Sequence, residues 1–228
     1  MRLAPQNQGH EGDLYIYDDA TRTAILETIS ADRIRTYLAL ANGSELRALR
    51  LYVRNAALAS AFLGPLQALE VTLRNTMHRL LSDQYGEDWY EKIGLGNSQQ
   101  KAIESAKQAL RREGKTETPA RIVAASTFGL WVGLLAKGND RLLWRPLLHQ
   151  AFNPTPARKD VYDQLDRLRT LRNRIAHHEP IIRRRLRDDY ARILRLLQML
   201  SPEVADWVRH HSRVPEVMAT PVSRIGRF

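Results

Sequence analysis

Leu66, Leu69, Leu73, Met77 and Leu80 fall on one face of a helix, and the same spacing returns at Leu165, Leu168, Leu171 and Ile175. It appears a third time at Leu186, Tyr190, Ile193, Leu197 and Leu200. Apolar residues repeating with the 3.6-residue period need a partner face to bury against. A chain with several such stripes and almost no alternating pattern is expected to fold as packed helices. The only short β-like run, Leu14-Tyr15-Ile16-Tyr17, sits in a polar leader. The expectation is therefore an all-α fold, with an irregular leader at residues 1–20, a helical domain at 21–205 and a basic, mobile tail at 206–228.

Local signals divide the domain. Ser30 is placed to cap a helix from Ala31 to Ala41, closed by Asn42-Gly43, and Ser44 to cap a second one carrying Leu46, Leu49 and Val53. Gly64-Pro65 predicts a kink or break, with Pro65 opening the next segment, which ends near Tyr85-Gly86. Ser98 starts a charged helix to about Arg112; Thr118-Pro119 opens one through Phe128, Trp131 and Leu135 to Lys137-Gly138. Helical turns are expected between Asp140 and Gln150. Thr155-Pro156 opens the helix that holds Leu165 to Ile175, and Pro180 stops it near His178.

The 228 residues suffice for one substantial domain with a buried core. With 35 Lys and Arg against 25 Asp and Glu, the formal charge of +10 favours polyanionic partners, nucleic acid before anionic membrane. The absence of cysteine excludes disulfides, thiolate chemistry and a cysteine-based zinc site, and fits a reducing cytosol. The stretch from Met1 to Gly12 lacks the apolar core of a secretory signal, and the uncharged stretch from Ile122 to Ala136 is too short to span a bilayer. A soluble, cytoplasmic protein without a membrane partner is expected.

The segment Arg172-Asn173-Arg174-Ile175-Ala176-His177-His178-Glu179-Pro180 carries the chemistry. Arginine matches two phosphate oxygens with its planar fork and keeps its charge; histidine moves protons near neutral pH. RNA supplies its own nucleophile, the 2′-hydroxyl, so cleavage needs only proton transfers and a stabilised phosphorane. A five-position step on an ideal helix turns side chains apart by about 140°. Arg172 and His177 would therefore diverge on a regular helix, and fraying at His177 would let the imidazole swing towards the side that Arg172 faces. A helix C-terminus favours the imidazolium, which suits a proton carrier. The alternative is that His177 simply caps the helix and interacts with its dipole.

At these residues the chain resembles the HEPN superfamily, helical domains whose nuclease members carry an Arg followed a few residues later by a His. More narrowly it resembles the Abi-like, abortive-infection branch found in bacterial phage defence. The likeness runs over residues 30–200 and is carried by Leu51-Tyr52 with Asn55, by LQALEVTLRN from Leu66 to Asn75, and by Tyr85-Gly86 with Asp88-Trp89. Thr127-Phe128-Gly129-Leu130-Trp131 and LRNRIAHHEP from Leu171 to Pro180 complete it. The resemblance implies a HEPN-like helical bundle with additional helices and a metal-independent endoribonuclease acting as a homodimer, without cofactor. Arg172 and His177 would be the catalytic pair, and Asn173 the polar residue that follows the motif Arg. A toxin-type role with an antitoxin or regulatory partner is a further implication.

Other residues have supporting readings. Glu70, Arg74 and His78 form a row along one side of the Leu66–Leu80 stripe. Glu70 either orients Arg172 or His177, or pairs with Arg74 within the helix. Asn75 either helps hold the site or makes a structural hydrogen bond. His178 competes with His177 for the catalytic role; the motif spacing favours His177, which leaves His178 to bind substrate or cap the helix. Arg183, Arg184, Arg185 and Arg187 read as RNA-phosphate contacts or as a solvated face. Phe128 and Trp131 suit a core or dimer interface better than base stacking. His210 and His211 have no nearby carboxylate set that would complete a metal site, and none is expected. The alternative to catalysis is a non-catalytic RNA-binding or partner-binding helical module.

Overall fold

The computed structural model describes residues 15–224, and among them there is no strand. The chain is all-α. Its helices are α1 (Asp19–Ile29), α2 (Ala31–Leu40), α3 (Glu45–Tyr85), α4 (Trp89–Lys92), α5 (Asn97–Arg112) and α6 (Pro119–Ala125). They continue as α7 (Phe128–Leu134), α8 (Arg158–Ala176), α9 (Leu186–Leu200), α10 (Pro202–His211) and α11 (Val214–Ala219), with short 3₁₀ and π turns from Lys137 to Ala151. Of the β-like run, Leu14 lies outside the described residues, and Tyr15 to Tyr17 have no regular structure.

The chain divides into two compact units. The first comprises, among the described residues, 15–62, 180–184 and 213–224; the second comprises 63–179 and 185–212.

In the first unit, Ile34, Tyr37, Ala41, Ala48, Leu49 and Leu51 form the core, with Ile25, Leu26, Ile182 and Val222 packed against it. Asp18 starts α1 by accepting a hydrogen bond from Thr21 N at 2.7 Å. Ser30, expected to cap α2, makes no side-chain cap bond; its backbone takes φ 77° at the joint between α1 and α2. Asn42 and Gly43 both turn with positive φ, as their residue types predict. Ser44 Oγ accepts from Arg47 N at 3.4 Å and caps α3. The buried Asn55 accepts at Oδ1 from the amides of Ile181 (2.7 Å) and Ile182 (3.2 Å).

Of the expected tail, residues 206–211 and 214–219 are instead helical, and 225–228 lie outside the described residues. Ser201 accepts from Val204 N and opens α10 with Pro202 in its first turn. Val208, Val214 and Val217 are buried, and the Arg54 guanidinium donates to the carbonyls of Met218 and Thr220 at the end of α11. A cation on terminal helix carbonyls satisfies groups that lack an intrahelical partner.

Gly64-Pro65 does not break the chain into two helices: α3 runs for 41 residues with Pro65 inside it. An interior proline costs about 3 kcal/mol, whereas each fully buried leucine contributes about 1.5–3 kcal/mol. Leu66, Leu69, Leu73 and Met77, all buried, outweigh that cost. The stripe continues at the buried Leu81 rather than at Leu80, which is half-buried. Among the described residues α3 is the one helix long and apolar enough to cross a membrane, with an 18-residue window of mean hydropathy 1.4. A core helix with such buried leucines meets the same criterion.

In the second unit, α8 packs on α7 and α9, α10 packs on α9, and α5 packs on α6 and α7. The helix expected from Pro119 to Lys137 is interrupted at Ser126-Thr127, which are extended. Ser126 Oγ donates to Val123 O at 2.7 Å and accepts from Trp131 Nε1 at 2.9 Å, so a buried hydroxyl ends one helix and satisfies the indole of the next. Phe128 and Trp131 are fully buried core residues, and Trp131 lies 5.8 Å from the Trp89 ring. The helix carrying Leu165 starts at Arg158, three residues beyond Thr155.

Candidate active site

Val161, Leu165, Leu168, Leu171 and Ile175 fix which face of α8 is buried. Arg172, the next residue after Leu171, therefore emerges at the flank of that face, with its side chain 38% exposed. Its Nε lies 3.6 Å from Oε2 of Glu70 on α3, a carboxylate only 19% exposed. Of the two readings of Glu70, the structure takes the one in which it faces Arg172.

Arg74 is directed elsewhere. Its Nε donates to Asn75 Oδ1 at 3.1 Å and its Nη1 to Ala124 O at 3.4 Å. Asn75 makes that structural bond on an exposed part of α3. His78, third in the row, accepts at Nδ1 from Trp89 Nε1 at 3.1 Å and has Ser82 Oγ at the same distance. Its Nε2 faces Glu87 at 3.6 Å. Burial pushes its pKa below the ordinary imidazole value, with Arg74 adding to the effect and Glu87 opposing it. His78 is thus a packed, hydrogen-bonded residue.

The end of α8 is closed tightly. The His177 amide keeps its helical bond to Asn173 O at 2.9 Å, His178 N–H donates to Ile175 O at 3.1 Å, and Glu179 N–H donates to Arg174 O at 2.8 Å. This paired pattern is the Schellman closure, with His178 in the left-handed position at φ 56° that glycine usually fills. Histidine is among the residues enriched there. The helix stops where Pro180 predicts, yet His177 does not fray: it is the C-cap, at φ −94° and ψ 10°. The expected swing of the imidazole through fraying gives way to an exposed side chain on a fixed backbone. A second tie, Arg174 Nε to Glu179 Oε2 at 3.7 Å, spans the same turn.

Asn173 is half-buried on the last turn of α8, and its carbonyl receives the His177 amide. The arginine run is divided: Arg183 and Arg184 belong to the first unit, Arg185 and Arg187 to the second. Arg183, Arg185 and Arg187 are exposed and Arg184 is half-buried, with Arg185 at the N-cap of α9. Asn55, read from the sequence only as part of a resemblance, pins the backbone just after Pro180; a polar residue within the apolar stripe of α3 was the available signal.

Chemically, the end of α8 offers a guanidinium held by a carboxylate and an exposed imidazole on a locked turn. An apolar groove of about 400 Å³ between α3 and α10, edged by the exposed Trp207, includes neither Arg172 nor His177. No family model matches the chain, and no match is found among curated proteins or solved structures.

Proposed function

We propose that this chain is a metal-independent endoribonuclease of the HEPN superfamily, in its Abi-like branch, whose active site is composed from two copies of the Arg172–His177 end of α8. The observation that carries the reading is the Glu70 carboxylate set against Arg172 on the helix that His177 caps. Arg172 holds the non-bridging oxygens of the scissile phosphate. A neutral His177 takes the proton of the 2′-hydroxyl, whose oxygen forms the new bond to phosphorus. The protonated histidine of the second copy gives its proton to the 5′-oxygen as the phosphorus–oxygen bond to it breaks. The products are a 2′,3′-cyclic phosphate and a 5′-hydroxyl, which balances the reaction without water.

Two further features support this reading. One copy presents a single, exposed half-site, and two proton transfers call for two histidines. The formal charge of +10 favours an RNA substrate, and the exposed Arg183, Arg185 and Arg187 suit contacts to its backbone. Growth restraint in a cytoplasmic phage-defence or toxin-type system, with an antitoxin or regulatory partner, is the setting that fits such an activity.

The test is incubation of the purified chain with total cellular RNA and tRNA in EDTA, with the new ends mapped. Cyclic phosphate facing 5′-hydroxyl at each cut supports the proposal. Salt-sensitive RNA binding without new ends would instead identify a non-catalytic binding module.

A further inference from the structure

In the first unit, a cavity of about 430 Å³ is lined by Ser44, Leu46, Arg47 and Arg50 at the start of α3 and by Val222 and Ser223 near the chain's end. Ser44, Arg47 and Arg50 follow one another at three-residue steps, so they share a side of the helix. The nearest acidic residue in sequence, Glu45, is engaged by Arg22 at 2.8 Å. Among the described residues no carboxylate lies within ion-pair distance of Arg47 or Arg50. Many arginines of this chain do have such partners: Arg111 with Glu104 and Glu117, Arg145 with Asp140, Arg192 with Asp189.

Two like charges three residues apart on a helix repel each other unless an anion stands between them. The cavity gives an anion room, and its walls carry the matching donors. Each guanidinium presents a planar fork suited to paired phosphate oxygens. Ser44 Oγ accepts from the Arg47 amide, which leaves its own proton to donate, and Ser223 adds a second hydroxyl. Leu46 and Val222, both half-buried, supply an apolar wall beside those contacts.

We propose that this pocket binds a phosphate group, carried by a nucleotide or by an RNA backbone, through Arg47, Arg50, Ser44 and Ser223. It is separate from the Arg172–His177 chemistry and stands whether or not the chain cleaves RNA.

Calorimetric titration of the full chain at constant ionic strength tests it, with pyrophosphate, a nucleoside diphosphate and a short single-stranded RNA as probes. Wild type is compared with R47Q/R50Q, and melting curves of both confirm the fold. The expected result is a loss of pyrophosphate affinity of roughly tenfold or more in the double variant, with R47K/R50K between the two because lysine keeps the charge and loses the fork. The larger loss, for the nucleoside diphosphate or for the RNA, identifies the carrier. If R47Q/R50Q melts early, R47Q alone, on an exposed side chain, carries the comparison. Equal binding of all three probes by wild type and variant, or no binding by wild type, overturns the proposal.

Discussion

The Glu70 carboxylate stands 3.6 Å from Nε of Arg172 and joins the middle of α3 to the last turns of α8. At that distance the pair is an ion pair rather than a hydrogen bond. With Arg172 38% exposed, its contribution to stability is expected to be small, about 0.2–1 kcal/mol. What it adds is direction, because a long flexible side chain is held to one side of the helix. Under the proposed function, Glu70 acts as a positioning residue. Glu70→Gln should melt within a few degrees of wild type yet cleave RNA roughly tenfold more slowly, chiefly through kcat. In a double-mutant cycle with Arg172→Ala, the effect of Glu70→Gln should vanish. An undiminished Glu70→Gln effect in the Arg172→Ala background would detach Glu70 from the arginine.

Asn55 predicts a stability effect of another size. Its buried Oδ1 takes the amides of both Ile181 and Ile182, so Asn55→Ala leaves two donors without their acceptor in a largely apolar setting. Each such orphan costs about 1–3 kcal/mol, and the substitution should therefore destabilise by about 2–6 kcal/mol in urea unfolding. Asn55→Asp keeps an acceptor at that place and should cost less than Asn55→Ala. Equal losses for the two would mean that packing, not the hydrogen bonds, sets the value.

His78 predicts a pH dependence. Burial favours its neutral ring, so the folded-state pKa lies below the ordinary 6.5. Below pH 6.5 the unfolded chain therefore takes up a proton that the folded chain resists. The contribution is fully present above 6.5 and is lost as the pH falls through the folded-state pKa. His78→Asn removes the titration while offering an acceptor to the Trp89 indole. Its melting temperature should fall less steeply than that of wild type between about pH 6.5 and pH 5. Parallel curves for the two proteins would rule His78 out as a contributor.

Much of the helical order was legible because it rests on local chemistry. The stripe from Leu66 to Met77, the Asn42-Gly43 turn, the Thr118-Pro119 start and the stop before Pro180 each follow from side-chain type at a fixed spacing. The failures occur where tertiary packing overrides a local signal. Pro65 reads as a break, yet the buried leucines beyond it hold α3 continuous. Ser126-Thr127 reads as helix, since nothing in those two residues announces that the Ser126 hydroxyl will serve both Val123 and Trp131. The segment after Pro202 reads as a tail because its buried valines are few and widely spaced, and its anchor, Arg54, lies far away in the sequence.

The candidate site divides in the same way. Arg172 and His177 were singled out by their residue types and by the family resemblance, the stop behind them by Pro180, and Glu70 by its place beside the stripe. The rigid C-cap at His177 was not, because a left-handed turn at a histidine, rather than at a glycine, leaves little trace in the sequence. Arg47 and Arg50 look like an ordinary solvated face until the fold brings Val222 and Ser223 beside them.

The most direct test of the central claim compares wild-type protein with His177→Asn and His177→Ala on the same RNA in EDTA. Asparagine is well tolerated at helix ends, so His177→Asn separates loss of the proton carrier from loss of the cap. Wild type should produce 2′,3′-cyclic phosphate ends, and both variants, folded by their melting curves, should be slower by roughly 10² to 10⁴. Cleavage at the wild-type rate and with the same ends by either variant would contradict the assignment of His177 as the group that moves the proton.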